Sequence, residues 1–271
     1  MRVLFLGDVV GRSGREAVQD HLPELREQLS VDFAIVNGEN SAGGFGITPD
    51  IAEALFDAGA DVITTGNHAF DKREILTYFD SESRLLRPAN YPADTPGKGS
   101  GLFPTADGRF VLVANVILRL FMDTSDDPFT AAERIVEECP LGYGADFIFI
   151  DMHGEATSEK VALGHFLDGR ISAIVGTHTH IPTADHMILA GGTAYMTDAG
   201  MCGSYEGVIG MQKEAPVERF LSKWGRPRLE VAEGPATVSG LLVESDDATG
   251  LATRVAPIRL GGLLSEAFPD F

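Results

Sequence analysis

The chain has 271 residues, 44% hydrophobic and 23% charged, enough for one large α/β domain or two small ones with a well-filled core. No stretch approaches the roughly 18 apolar residues of a membrane span, and the run Met1 to Val10 carries Asp8 and lacks the cleavage site of a secretory signal. A formal net charge of −19 without a block of Lys or Arg disfavours broad binding to duplex nucleic acid.

Short apolar runs predict strands at Val3–Leu6, Phe33–Val36, Val62–Thr64, Val111–Asn115, Phe147–Ile150, Ala173–Val175 and Ala194–Met196. They are mostly continuous rather than alternating, as expected of strands buried on both faces. Helical patterns fall between them, near Gly14–Leu29, Thr130–Glu138 and Ser158–Leu167. Thr48-Pro49-Asp50 supplies an N-cap, a proline at the first helical position and an early carboxylate. Asp71 followed by Glu74 reads as a capping box ahead of Ile75 and Phe79. Arg87–Gly101, with three prolines and three glycines, reads as a long loop. After about residue 200 the pattern turns to strands at Val238–Glu244 and Thr253–Leu260, which pair antiparallel about the turn Asp246 to Gly250. The two cysteines, Cys139 and Cys202, are too few for a disulfide framework and suit a reducing cytoplasm.

Five predicted strands end on polar groups flanked by glycine. These are Gly7-Asp8, Asn37-Gly38-Glu39-Asn40, Gly66-Asn67-His68, Asp151-Met152-His153-Gly154 and Gly176-Thr177-His178-Thr179-His180. Binding sites of open α/β sheets form at the carboxyl ends of strands. Each fragment alone is commonly a turn or a core histidine; their convergence is the signal. Asp8, Glu39, Asn67, His153, His178 and His180 offer only oxygen and nitrogen donors. Without thiolate, a closed structural zinc site is disfavoured, and mixed imidazole and carboxylate suits Fe, Mn, Zn or Co. Six or seven such ligands are too many for one ion and suit two with a bridging carboxylate. Two divalent ions, two carboxylates and a hydroxide leave a local charge of about +1, which attracts a phosphate into an otherwise acidic protein.

The five ordered blocks resemble those of the calcineurin-like metallophosphoesterases. Gly38–Thr48, Arg87–Pro92, Thr197–Met201 and Val208–Glu214 resemble more narrowly the YmdB-like branch, described as acting on 2′,3′-cyclic nucleotides. The likeness runs over nearly the whole chain. It implies a four-layer α/β/β/α sandwich of two mixed β-sheets flanked by helices, as a single domain over residues 1–271. Two departures from the broad superfamily, Val10 where the first block has His and Glu39 where the bridge is usually Asp, are shared by the branch, with Asn40 as a substitute ligand.

By this resemblance Asp8, Glu39, Asn40 and His180 hold one divalent ion, and Glu39, Asn67, His153 and His178 the other. Iron or manganese is expected, with zinc as a third choice. A hydroxide between the ions would attack phosphorus and His68 would be the general acid. The Gly43 to Gly46 loop beside Glu39 is either a plain turn or part of a substrate wall, with Gly44 and Phe45 as contacts and Phe45 stacking on a base. Gly11-Arg12-Ser13-Gly14, ahead of a helix, could hold an anion, although it lacks the spacing of a P-loop. Thr197-Asp198 could support a ligand from behind. His21, His165 and His186 read as structural. The expected substrate is a small phosphate ester or cyclic nucleotide. Phosphomonoester hydrolysis, or nucleotide sensing with little turnover, uses the same donors and stays open, as does assembly into a homo-oligomer.

Overall fold

The computed structural model describes residues 1–122 and 125–271. The chain opens on β1 (Arg2–Leu6) and β2 (Asp8–Val9), then crosses through α1 (Gly11–Gln28) to β3 (Phe33–Asn37). It continues through α2 (Pro49–Asp57) to β4 (Val62–Thr64) and through α3 (Ile75–Ser81) to β5 (Leu85–Leu86). A hairpin of β6 (Ser100–Pro104) and β7 (Phe110–Ile117) follows, then α4 (Pro128–Glu138), β8 (Phe147–His153), α5 (Thr157–Leu167) and β9 (Ala173–Thr177). The last third adds β10 (Met187–Ile188), β11 (Ala194–Met196), β12 (Met201–Ser204), α6 (Glu214–Leu221), β13 (Ala236–Ser245) and β14 (Ala252–Leu260).

These strands form two mixed sheets. One runs β2-β12-β13-β1-β3-β4-β5 with β14 on β13; the other runs β10-β11-β9-β8-β7-β6. β1, β3, β4 and β5 are parallel, and β13 returns antiparallel on β1. β7, β8, β9 and β11 are likewise parallel, edged by antiparallel β6 and β10. Successive side chains of a strand face opposite ways, and here both faces are apolar. Val3 and Phe5 of β1 enter the layer between the sheets, where Phe5 meets Phe149 at 4.8 Å between ring centroids. Leu4 and Leu6 enter the layer under α1 and α2 with Val18, Leu22 and Leu55. Ile148 and Ile150 of β8 pack with Ile135 of α4 and Leu163 of α5. Three apolar layers therefore separate helices, sheet, sheet and helices, the four-layer sandwich that the resemblance implies.

Several local expectations are revised. Asp71 does not cap α3, which begins at Ile75 with Glu74 before it and no side-chain cap bond. The Asp71 carboxylate is taken instead by the ring of His68. α1 begins at Gly11 and ends at Gln28, so Gly11-Arg12-Ser13-Gly14 is its first turn and not a loop preceding it. β8 extends to His153, so Asp151 and His153 stand on the strand, two residues apart and on one face. The long loop stops at β6, which starts at Ser100. Thr48 does cap α2, accepting from the backbone of Ile51.

Candidate metal centre

The carboxyl ends of the parallel strands of both sheets meet, and the predicted ligands meet there with them. Ligand atoms of Asp8, Glu39 and His180 lie within 4.8 Å of one another, as do those of Glu39, His153 and His178, so Glu39 belongs to both groups. Asn67 Oδ1 is 2.9 Å from His153 Nε2, and Asn40 Oδ1 is 3.2 Å from His180 Nε2. All seven residues expected as ligands thus surround one cage. Gly66 is required here by close approach, since a Cβ on it would come within 2.4 Å of Glu39 Oε2 and His153 Nε2. Val10 is buried in the wall, and its backbone pairs with that of Asn40.

Supporting contacts fix which atom each expected ligand presents. The Thr177 hydroxyl donates to Asp151 Oδ1 at 2.6 Å, so at 2.9 Å it accepts from His153 Nδ1 and leaves Nε2 facing the cage. Asp151 also accepts from Asn37 and Thr64. His180 Nδ1 donates to the carbonyl of Ile209 at 2.9 Å, which turns its Nε2 inward. His178 is the exception, with Nδ1 3.2 Å from His153 Nε2 and Nε2 turned toward Glu155, 3.4 Å away. Asn40 Nδ2 donates to the carbonyl of Gly44, leaving its amide oxygen to the cage.

The loop after β9 holds an uncommon conformation: φ is 95° at His178 and 67° at His180. Positive φ at a bulky residue persists only where neighbours over-determine it. Asp8 Oδ2 accepts from the backbone of His178, and Asp198 Oδ2 from that of Thr179, both at 3.1 Å. Asp198 is in turn anchored by Lys160 of α5, fully buried, whose Nζ donates to Asp198 Oδ2 and to the Thr177 carbonyl, each at 2.8 Å. Asp198 is therefore the supporting residue anticipated from the Thr197-Asp198 pair, whereas Lys160 reads in the sequence as one more helical lysine. Breaking a buried pair strands the surviving charge, so Lys160→Met should lower unfolding stability by about 3–5 kcal/mol in denaturant titration. A loss under about 1 kcal/mol would show that the pair does not hold the loop.

Burial and charge set the protonation of the cage. Burial raises the Asp8 carboxyl well above its usual range, against the pull of His153. Burial opposes ionisation of Glu39 too, but the charge and hydrogen bond of His153, with His68, outweigh it and hold Glu39 at about 2. Burial disfavours charge on His153, yet Glu39, Asp8 and Asp151 overcome this and raise it to about 9. Burial, then the charge of His153, depresses His178 to about 3, and burial lowers His180. His153 raised from 6.5 to about 9 contributes stability to the metal-free fold that is complete below 6.5 and lost as pH rises through 9. Thermal melts of chelator-treated protein should accordingly fall between those pH values. A divalent ion held by His153 would compete with that proton, so the fall should vanish on metal loading; a flat metal-free profile would remove His153 from this role.

The chemistry of the cage fits a cation. Asp8 Oδ1 is buried with no hydrogen-bond partner among the described residues, an arrangement that costs free energy unless something positive meets it. Three imidazoles, two carboxylates and two carboxamides are also the donor chemistry of first-row divalent ions.

The cage opens into a cavity of about 430 Å³, whose lining includes Glu39, Asn40, His68, His178 and His180. Gly44 and Phe45 both line it. Gly44 is buried, and a Cβ there would meet Met211 at 2.7 Å. The Phe45 ring sits edge-on to His68 at 5.0 Å between centroids. His68 has 27% of its side chain exposed and its backbone N–H bonded to Glu39 Oε2 at 3.2 Å. Its Nδ1 lies 2.7 Å from Asp71. His21, His165 and His186 stand apart from the cage; Cys139 and Cys202 are free thiols.

A cage of histidine, carboxylate and carboxamide donors where two sheets of a four-layer sandwich end is the architecture of the metallophosphoesterases, a class of phosphoric ester hydrolases. The YmdB-like protein family matches residues 4–258, and the chain belongs to that family. It is 48% identical over 259 residues to a 2′,3′-cyclic-nucleotide 2′-phosphodiesterase of Bacillus subtilis strain 168, covering 95% of this chain and 96% of the relative. A crystal structure of a hypothetical protein from Thermus thermophilus superimposes with a TM-score of 0.90 at 41% identity, over 97% of this chain and 100% of that one. A structure described as a novel phosphatase of Mycoplasma pneumoniae gives 0.89 at 32% identity, over 96% and 93% of the two chains.

Proposed function

We propose that this chain is a dinuclear-metal-dependent phosphodiesterase that hydrolyses 2′,3′-cyclic nucleotides, built as one domain over residues 1–271. The observation that carries the reading is Glu39, shared by two donor groups at the foot of an open cavity. The activity named for the Bacillus relative supports the choice of substrate. Asp8, Glu39, Asn40 and His180 would hold one ion, and Glu39, Asn67, His153 and His178 the other, with iron or manganese favoured by the mixed donors. When bound, the ions supply Lewis-acid charge at the phosphoryl group and a nucleophilic oxygen near neutral pH.

The side chains account for the rest. Opening a cyclic phosphate breaks one P–O bond, and the departing ribose oxygen needs a proton. His68 lines the cavity and commits Nδ1 to Asp71, so Nε2 is the atom that delivers that proton. Asp71 fixes the orientation of the ring. Glu39 accepts from the His68 backbone and ties this acid to the cage. The Phe45 edge limits rotation of the imidazole.

The test is a panel of esters on protein of measured metal content. Turnover of 2′,3′-cyclic AMP and bis-p-nitrophenyl phosphate well above that of p-nitrophenyl phosphate is expected. A cyclic nucleotide bound stoichiometrically and recovered intact would overturn hydrolysis in favour of sensing.

A further inference from the structure

The cavity lining is of two chemical kinds. The cage contributes carboxylate, carboxamide and imidazole groups. Val208, Met211, Pro216, Phe220 and Leu229 contribute apolar surface, with Arg219 the one Lys or Arg among the described lining residues. That guanidinium donates through Nε and Nη2 to the carbonyl of Pro227 at 3.0 and 2.6 Å, so it ties α6 to the segment of chain that follows it. Phosphate oxygens and ribose hydroxyls need polar partners once desolvated, and the cage residues in the lining supply them. The face of a nucleobase needs only apolar and aromatic surface. Phe220 lines the cavity yet leaves 89% of its surface in solvent. A large aromatic ring held at the mouth of a ligand-sized cavity is covered when a planar group enters beside it.

We infer that the apolar lining of the cavity is a nucleobase subsite, with Phe220 of α6, the most exposed of those side chains, as its outer wall. The inference rests on the phosphodiesterase reading and adds to it the side chain that meets the base of the substrate. Recognition by stacking tolerates every base, so purine and pyrimidine cyclic nucleotides should be used in the same order of efficiency as their stacking strength.

The experiment compares 2′,3′-cyclic AMP with methyl riboside 2′,3′-cyclic phosphate, which keeps the reacting ring and lacks the base. Phe220→Ala should lower kcat/KM for cyclic AMP roughly 5- to 150-fold, the effect of removing one stacked aromatic, chiefly through KM. Turnover of the base-less ester should not change, and Phe220→Trp should restore use of cyclic AMP. Leu221→Ala is the control, because Leu221 is 84% exposed on the same helix and does not line the cavity. An equal loss on both esters, no loss on cyclic AMP, or the same loss in Leu221→Ala would overturn the subsite. If the metal-loaded wild type turned over neither ester nor bis-p-nitrophenyl phosphate, the hydrolase reading itself would fail and the subsite with it.

Discussion

Glu39→Gln is expected to strip metal from both positions at once. Glu39 is common to both donor groups, so its loss removes a ligand and a negative charge from each. Glutamine keeps the size of the side chain, but its NH₂ turns a donor toward imidazoles that must also face a cation. Metal per chain should fall well below that of the wild type, and turnover should drop by more than the roughly 10²–10⁴ that a missing general acid produces. A single-ligand residue such as Asn67 should leave one ion in place when replaced by alanine. Retention of the full metal content in Glu39→Gln would show that the bridge lies elsewhere.

His68→Ala should separate proton transfer from metal binding. The imidazole touches Asp71 and Phe45, and only its backbone N–H reaches Glu39, so its removal leaves the cage intact. Turnover of esters with a poor leaving group should fall by about 10²–10⁴ while metal content stays unchanged. Esters of p-nitrophenol, whose leaving oxygen needs little protonation, should lose far less. Equal losses on both kinds of ester would point to misplaced substrate and remove His68 as the acid. Asp71→Asn should give a smaller loss in the same direction, since it keeps the ring and weakens the contact that orients it.

Much of the site is legible before any folding is considered, because buried parallel strands are continuous apolar runs and stop where the ligands begin. The five Gly-flanked blocks therefore fall at the right edge of the sheets. What the reading misses depends on competition between partners that only tertiary structure brings together. Asp71 and Glu74 have the spacing of a capping box, yet the His68 imidazole three residues upstream takes the carboxylate. Lys160 lies in an ordinary helical pattern, and its burial becomes visible only when Asp198, 38 residues away, is placed beneath it. The positive φ of His178 and His180 follows from hydrogen bonds to Asp8 and Asp198 and contradicts the intrinsic preference of histidine. β12 (Met-Cys-Gly-Ser) is only four residues long, and α6 only eight with Pro216 inside it, too short for either pattern to stand out. Yet α6 supplies Phe220, the residue on which the substrate subsite turns.

The most direct measurement is anomalous diffraction from crystals of protein purified without chelator, with elemental analysis of the same sample. Two peaks roughly 3.5–4 Å apart, with the Glu39 carboxylate between them and the rings of His180 and of His153 and His178 on either side, are the predicted result. A lone peak away from Glu39, or two ions bound elsewhere while the imidazoles of the cage face empty space, would contradict it.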